Sequence, residues 1–177
     1  MCGIVGVVAQ RNATPILIRG LQRLEYRGYD SAGLAIVDTD GALKRLREVG
    51  KVQNLVHAVE RTPATGGTGI AHTRWATHGK VTADNAHPHL SFSAEADQSV
   101  CLVHNGIIEN HTALRAELQG LGYEFFSQTD SEVIVHLIHY YLSQQPDLLE
   151  AVRQAVRRLE GAYALAVIAS GENERII

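Results

Sequence analysis

Apolar positions along the chain follow two rhythms, short β-branched runs and stretches at helical spacing. The first run, Ile4, Val5, Val7 and Val8 with Gly6 among them, predicts a buried strand that would hold the first residues rigidly, where chain ends usually fray. Thr14-Pro15 reads as N-cap and first turn of a helix with Leu17, Leu21 and Leu24 on one face, stopping before Gly28. Residues 34–37 are a strand, and Asp40-Gly41 signals a hairpin into residues 43–49. Val52, Leu55, Val56 and Val59 fall at i, i+3, i+4 and i+7, a short amphipathic helix. Past the loop signals Thr62-Pro63 and Gly66-Gly67, a strand is expected over about 69–73.

The second half repeats the alternation. Residues 91–99, with Glu95 and Asp97, read as a surface loop or hairpin tip. Residues 100–103 are strand-like and run into His104-Asn105-Gly106, and Asn-Gly is first of all a turn signal. A helix with Leu114, Leu118 and Leu121 follows, closed by Gly122. Residues 129–132 have capping-box spacing ahead of Val133, Leu137 and Tyr141. Pro146 ends that helix, and Asp147 is placed to cap another with Leu148, Val152, Val156 and Leu159 inward, before a last apolar run over 162–168. Hairpin-linked strands with helices gathered between them predict a layered α+β fold rather than a parallel sheet.

At 177 residues the sequence suits one domain, and a chain of this size buries roughly 70% of its unfolded surface. A formal net charge of −3 offers no basic field for nucleic acid. No apolar run approaches the ~20 residues of a membrane span, and the N-terminus lacks the basic region of a secretory signal. Two cysteines, one at position 2, make no disulfide framework, so the cytoplasm is the expected location.

Cys2 carries the most pointed chemistry. If Met1 is removed, as it commonly is before so small a residue, Cys2 presents a thiol and a free α-amine, groups whose reference pKa values lie within about one unit of each other. One residue can then supply nucleophile and general base. On this stretch alone the simpler reading, a start methionine, a chance cysteine and a core strand, is preferred. The densest polar cluster is HTRWATHG (72–79), where Arg74 is a fixed cation whose fork suits a carboxylate and Trp75 an apolar wall, with Thr77 and His78 beside a flexible Gly79. A buried Arg–acid pair and a core Trp would explain it equally well. Asn105 and Gly106, if not a turn, can aim an amide and a backbone N–H at a developing oxyanion. Asp130 reads first as a helix cap and second as a partner for a substrate ammonium. Nine histidines invite a metal, but His87-Pro88-His89 has no third ligand at a known spacing and His136/His139 needs only packing, so no metal is expected. Gly66-Gly67-Thr68-Gly69 lacks the Lys-Ser/Thr of a phosphate loop, and no Gly-x-Ser-x-Gly elbow occurs.

Taken together, CGIVG (2–6), YRGYDSAG (26–33), HTRWATHG (72–79), HNGIIEN (104–110) and TDSEV (129–133) closely resemble the glutaminase domain of the glucosamine-6-phosphate synthases, in that family's order and over nearly the whole chain. The opening Cys-Gly-Ile marks only the wider class II amidotransferases; YRGYDSAG and HTRWATHG are narrower. The resemblance implies an N-terminal-nucleophile hydrolase fold, a four-layer αββα sandwich of antiparallel sheets, here C-terminally truncated within residues 1–177, with the sugar isomerase domain absent. It implies Cys2 as nucleophile with its amine as base, and Asn105 and Gly106 as the oxyanion hole. Arg74 would bind the glutamine carboxylate and Asp130 its ammonium, reversing the preference for a cap. Trp75, Thr77 and His78 would lie on a closing loop, Trp75 gating ammonia, with Arg27 supporting the site. It implies no cofactor, L-glutamine as substrate, a sugar isomerase domain acting on fructose-6-phosphate as ammonia acceptor, and a homo-oligomeric full-length protein. If Met1 is retained, the nitrogen is an amide and cannot be the base. A glutamine-binding module without catalysis and another class II amidotransferase, forming phosphoribosylamine or asparagine, are the competing readings.

Overall fold

The computed structural model describes residues 2–76, 79–92 and 98–177. Two antiparallel sheets carry the architecture. The first has the order β1-β4-β2-β3, formed by β1 (Gly3–Val8), β2 (Ser31–Val37), β3 (Leu43–Val49) and β4 (Thr68–Arg74). The second runs β5-β6-β7, formed by β5 (His89–Ser91), β6 (Val100–Ile108) and β7 (Gly161–Ala169). Side chains alternate across each strand, and this sorts the continuous apolar runs into layers. Leu34 and Ile36 of β2 face outward to Leu17 and Leu21 of α1 (Thr14–Leu24) and Leu55 of α2 (Val52–Arg61). Ala35 and Val37, with Ile70, meet Cys101, Val103, Ala166 and Ile168 between the sheets. Leu102 and Val167 face the other way, onto α3 (His111–Gly120), α4 (Ser131–Gln144) and α5 (Leu148–Val156). The result is helix, sheet, sheet, helix, as the resemblance implies.

Most element boundaries fall within a residue or two of expectation, and the departures have local causes. Thr14 is the first helical residue rather than the cap: its hydroxyl donates to the Ala64 carbonyl, and Asn12 Oδ1 accepts the Thr14 N–H instead. Asp147 does cap α5, accepting from the Glu150 N–H at 3.1 Å. Leu121 and Val156, expected inward, are exposed, the first because α3 ends at Gly120. Thr129 and Glu132 form no capping box; Glu132 reaches back to the N–H groups of Phe126 and Ser127, fixing the turn before α4. Of the expected loop at 91–99, residues 93–97 lie outside the described residues.

The departure that matters most is at Asn105-Gly106, which is no turn. β6 continues through it to Ile108, pairing Asn105 with Ala164 and Gly106 with Tyr163. Gly106 has φ +132°, and a Cβ there would lie 2.2 Å from the Ala162 carbonyl oxygen, so the sequence needs glycine for close strand approach rather than for chain reversal.

Candidate active site

One end of the two sheets holds a small cleft lined by Cys2, Arg74, Trp75, His87, His104, Gly106, Thr129, Asp130 and Ser131. Antiparallel pairing of β1 with β4 sets Gly3 opposite Thr73, which brings Cys2 beside Arg74 and Trp75. The Cys2 sulfur, half-buried, accepts the Trp75 N–H at 3.3 Å and lies 3.7 Å from the Trp75 carbonyl oxygen. These contacts hold the thiol against the backbone that leaves β4.

Arg74 is 4% exposed, with its guanidinium 4.0 Å from Asp30 Oδ1 and bonded to the Lys80 carbonyl oxygen. Asp30 does more than neutralise charge: its N–H donates to the Arg74 carbonyl at 2.7 Å, and its Oδ2 accepts the Ala76 N–H. It therefore stitches the segment on both sides of Trp75 to the YRGYDSAG loop. Asp130 stands at the start of α4 but caps nothing; Oδ2 accepts the Ile108 N–H at 2.8 Å. That bond anchors the Asp130 carboxylate beside the cleft, and its side chain makes no cap bond to α4.

Of the other expected site residues, Asn105 is not in the cleft lining although its neighbours His104 and Gly106 are, and its Oδ1 is 2.6 Å from His72 Nε2. Trp75 is 53% exposed at the rim, its ring over Gly28. Arg27 lies on the surface turn, its Nε donating to the Tyr26 hydroxyl. Thr77 and His78 lie outside the described residues.

The sequence reading missed a buried layer of histidines that begins in the cleft lining, at His87 and His104, and continues to His72 and His89. His72, His87, His89 and His104 are all buried. The His72 and His87 rings are 4.3 Å apart, and Ser131 Oγ joins His87 Nε2 at 2.9 Å to His104 Nδ1 at 2.8 Å. Burial holds His72 down to about pKa 4 and His87 and His89 well below the usual imidazole value, and lowers His104 too, so the layer is neutral at physiological pH. Gly33 makes the layer possible: a Cβ there would sit 2.2 Å from the His87 carbonyl oxygen. The signal available in the sequence was that two of these histidines, His72 and His104, open motifs already chosen for other residues. Among the described residues no group of three or more His, Cys, Asp or Glu is arranged to hold a metal ion.

The two-sheet αββα sandwich is the fold of the class II glutamine amidotransferases, and the cleft at its end gathers Cys2, Arg74 and Asp130. The family described as "Glutamine amidotransferase domain" matches residues 72–177, and the chain belongs to that family. Two solved structures agree at 30% identity. The Bacillus subtilis glutamine phosphoribosylpyrophosphate amidotransferase, complexed with ADP and GMP, has a TM-score of 0.79 and covers 95% of this chain and 35% of its own. One described as the allosteric regulatory enzyme of purine biosynthesis has a TM-score of 0.81 over 96% of this chain and 35% of its own. Among curated relatives, the chain is 60% identical over all 177 residues to a glutamine–fructose-6-phosphate aminotransferase (isomerizing) of Pseudomonas putida, and 59% identical to that of Pseudomonas aeruginosa. It spans 28% of the length of each.

Proposed function

We propose that this domain hydrolyses the side-chain amide of glutamine and that, in a full-length protein, the ammonia passes to a sugar isomerase domain for transfer to fructose-6-phosphate. With Met1 removed, the Cys2 α-amine takes the thiol proton and the sulfur attacks the amide carbon. The oxyanion that forms is stabilised by the Gly106 N–H and the Asn105 Nδ2–H. The C–N bond then breaks, the amine returns its proton to the departing ammonia, and water hydrolyses the thioester to glutamate. Arg74 holds the substrate carboxylate and Asp130 its ammonium, Trp75 gates the exit of ammonia, Thr77 and His78 contribute to closure, and Arg27 supports the loop beneath. A buried charge left unpaired by the wrong ligand is a strong basis for rejecting it.

The observation that carries this reading is that Cys2, Arg74 and Asp130, from three distant parts of the sequence, line one cleft. The experiment is glutamate release from glutamine by the intact protein, with mass spectrometry of its N-terminus: release with Met1 absent supports the reading, and a processed protein that binds glutamine without releasing glutamate refutes it. Arg74→Ala is expected to raise the glutamine KM by about 10²-fold, the scale of a lost charge-assisted pair, with a smaller effect on kcat. An unchanged KM would remove Arg74 from the carboxylate site. We further propose that the full-length enzyme is cytoplasmic and homo-oligomeric; among the described residues no helix is long and apolar enough to cross a membrane.

A further inference from the structure

We propose that His72 is a positioning residue for the reaction, fixing the Asn105 carboxamide so that its N–H end, and not its oxygen, is presented to the developing oxyanion. The inference rests on the glutaminase reading and adds to it a residue that touches neither substrate nor thiol.

The need for such a residue follows from the chemistry of asparagine. A carboxamide turns about its terminal bond with a broad, nearly two-fold preference, and its two ends are similar in size and opposite in polarity. With nitrogen toward an oxyanion it stabilises; with oxygen toward it, it repels. Something outside the side chain must choose.

His72 meets the requirements. Its Nε2 is 2.6 Å from Asn105 Oδ1. It is fully buried, seated mid-strand in β4 between Ile4 of β1 and Gly33 of β2, with the His87 ring 4.3 Å away. His87 is itself held through Ser131 to His104, so the His72 ring is packed against a braced neighbour. Neutral imidazole has a single N–H, and with Oδ1 as acceptor that proton is on Nε2. An Nε2–H accepts nothing, so turning the carboxamide over would lose this bond and set two donors against each other. His72 Nδ1 is sealed from solvent, and the ring also lies within reach of the His104 backbone. Asn105 Nδ2 has no partner among the described residues and is not among their sealed polar atoms, which leaves it able to donate to a ligand.

The test uses the intact, Met1-processed protein and two near-isosteric variants. H72M removes the donor; H72Q returns an N–H close to the position of Nε2. Losing an oxyanion donor outright costs about 10²–10³ in kcat, and a donor free to turn is lost only in part. H72M is therefore expected to lower kcat about 10- to 100-fold with the glutamine KM changed less than about twofold, and H72Q to recover most of the loss. Glutamate γ-semialdehyde, which adds Cys2 to form a tetrahedral thiohemiacetal, supplies the second readout. Its affinity should fall with kcat in H72M and return in H72Q, while affinity for glutamate stays put; a general loosening of the site would weaken both. If H72M fails to fold, H72N replaces it, its amide being too short to reach Asn105. A kcat within twofold of the parent in the donor-less variant, or no recovery in a folded H72Q, overturns the role of His72 alone. A parent protein that releases no glutamate brings down the glutaminase reading, and this inference with it.

Discussion

Cys2→Ala is expected to abolish glutamate release, lowering turnover by at least about 10⁴-fold, the scale on which nucleophiles fail when deleted, while glutamine still binds. The sulfur's contacts among the described residues are with the backbone of Trp75, so trading it for hydrogen leaves the fold intact. Arg74 and Asp130, the two poles proposed to hold the amino acid, are untouched. Calorimetry of the variant should give a glutamine affinity within a fewfold of the parent, and single-turnover assays no thioester. Residual release above that threshold would mean that another group attacks the amide. Loss of binding along with turnover would mean that the thiol is part of the grip.

Acid is expected to unfold the protein through the histidine layer. In the folded state His72 titrates at about 4 and His87 and His89 also stay neutral well below their usual range, because burial disfavours the cation. In the unfolded chain each takes a proton near pH 6.5. Above that value both states are neutral and the layer costs nothing. As pH falls from 6.5 the unfolded state binds protons that the folded state refuses, and stability drops at about 1.4 kcal/mol per pH unit for each histidine. His72 alone withdraws about 3 kcal/mol by pH 4, against a total of about 5–15 kcal/mol for a domain. Below about pH 4.5 Glu132 adds to the loss: burial alone would raise its pKa, but bonds from His136, Phe126 and Ser127 hold the carboxyl below its ordinary value, so its protonation favours the unfolded chain. Urea midpoints should be flat from pH 8 to 6.5 and fall steeply toward 4.5. A midpoint constant across that interval would mean that the layer opens to water or protonates without unfolding.

The fold was legible wherever local pattern and tertiary role coincide. Leu17 and Leu21, or Leu34 through Val37, have spacings that only one packing satisfies. The site was legible as residues but not as geometry. Asn105-Gly106 shows why: the pair has the strongest short-range turn preference of any dipeptide, and only strand pairing with β7 reveals that the glycine serves close approach instead. Thr129 and Asp130 are ambiguous in the same way, since a helix start and a cleft wall both suit a short polar side chain. Asp130's bond to Ile108 crosses 22 positions, a distance no local pattern can see. Histidine is harder still. His72 and His87 resemble surface polar residues in isolation, and become a buried neutral layer only because Gly33 lacks the atom that would keep them apart.

The chain's other cysteine gives the two-sheet arrangement a practical consequence. Cys101 lies between the sheets without solvent contact, and burial pushes its thiol up to about pKa 12, whereas Cys2 opens to the cleft. A sulfur-directed label added to the native protein therefore meets one site where the denatured chain offers two. Native labelling stoichiometry becomes a direct count of folded chains with an open cleft thiol, and the appearance of the second equivalent a clock for the parting of the sheets.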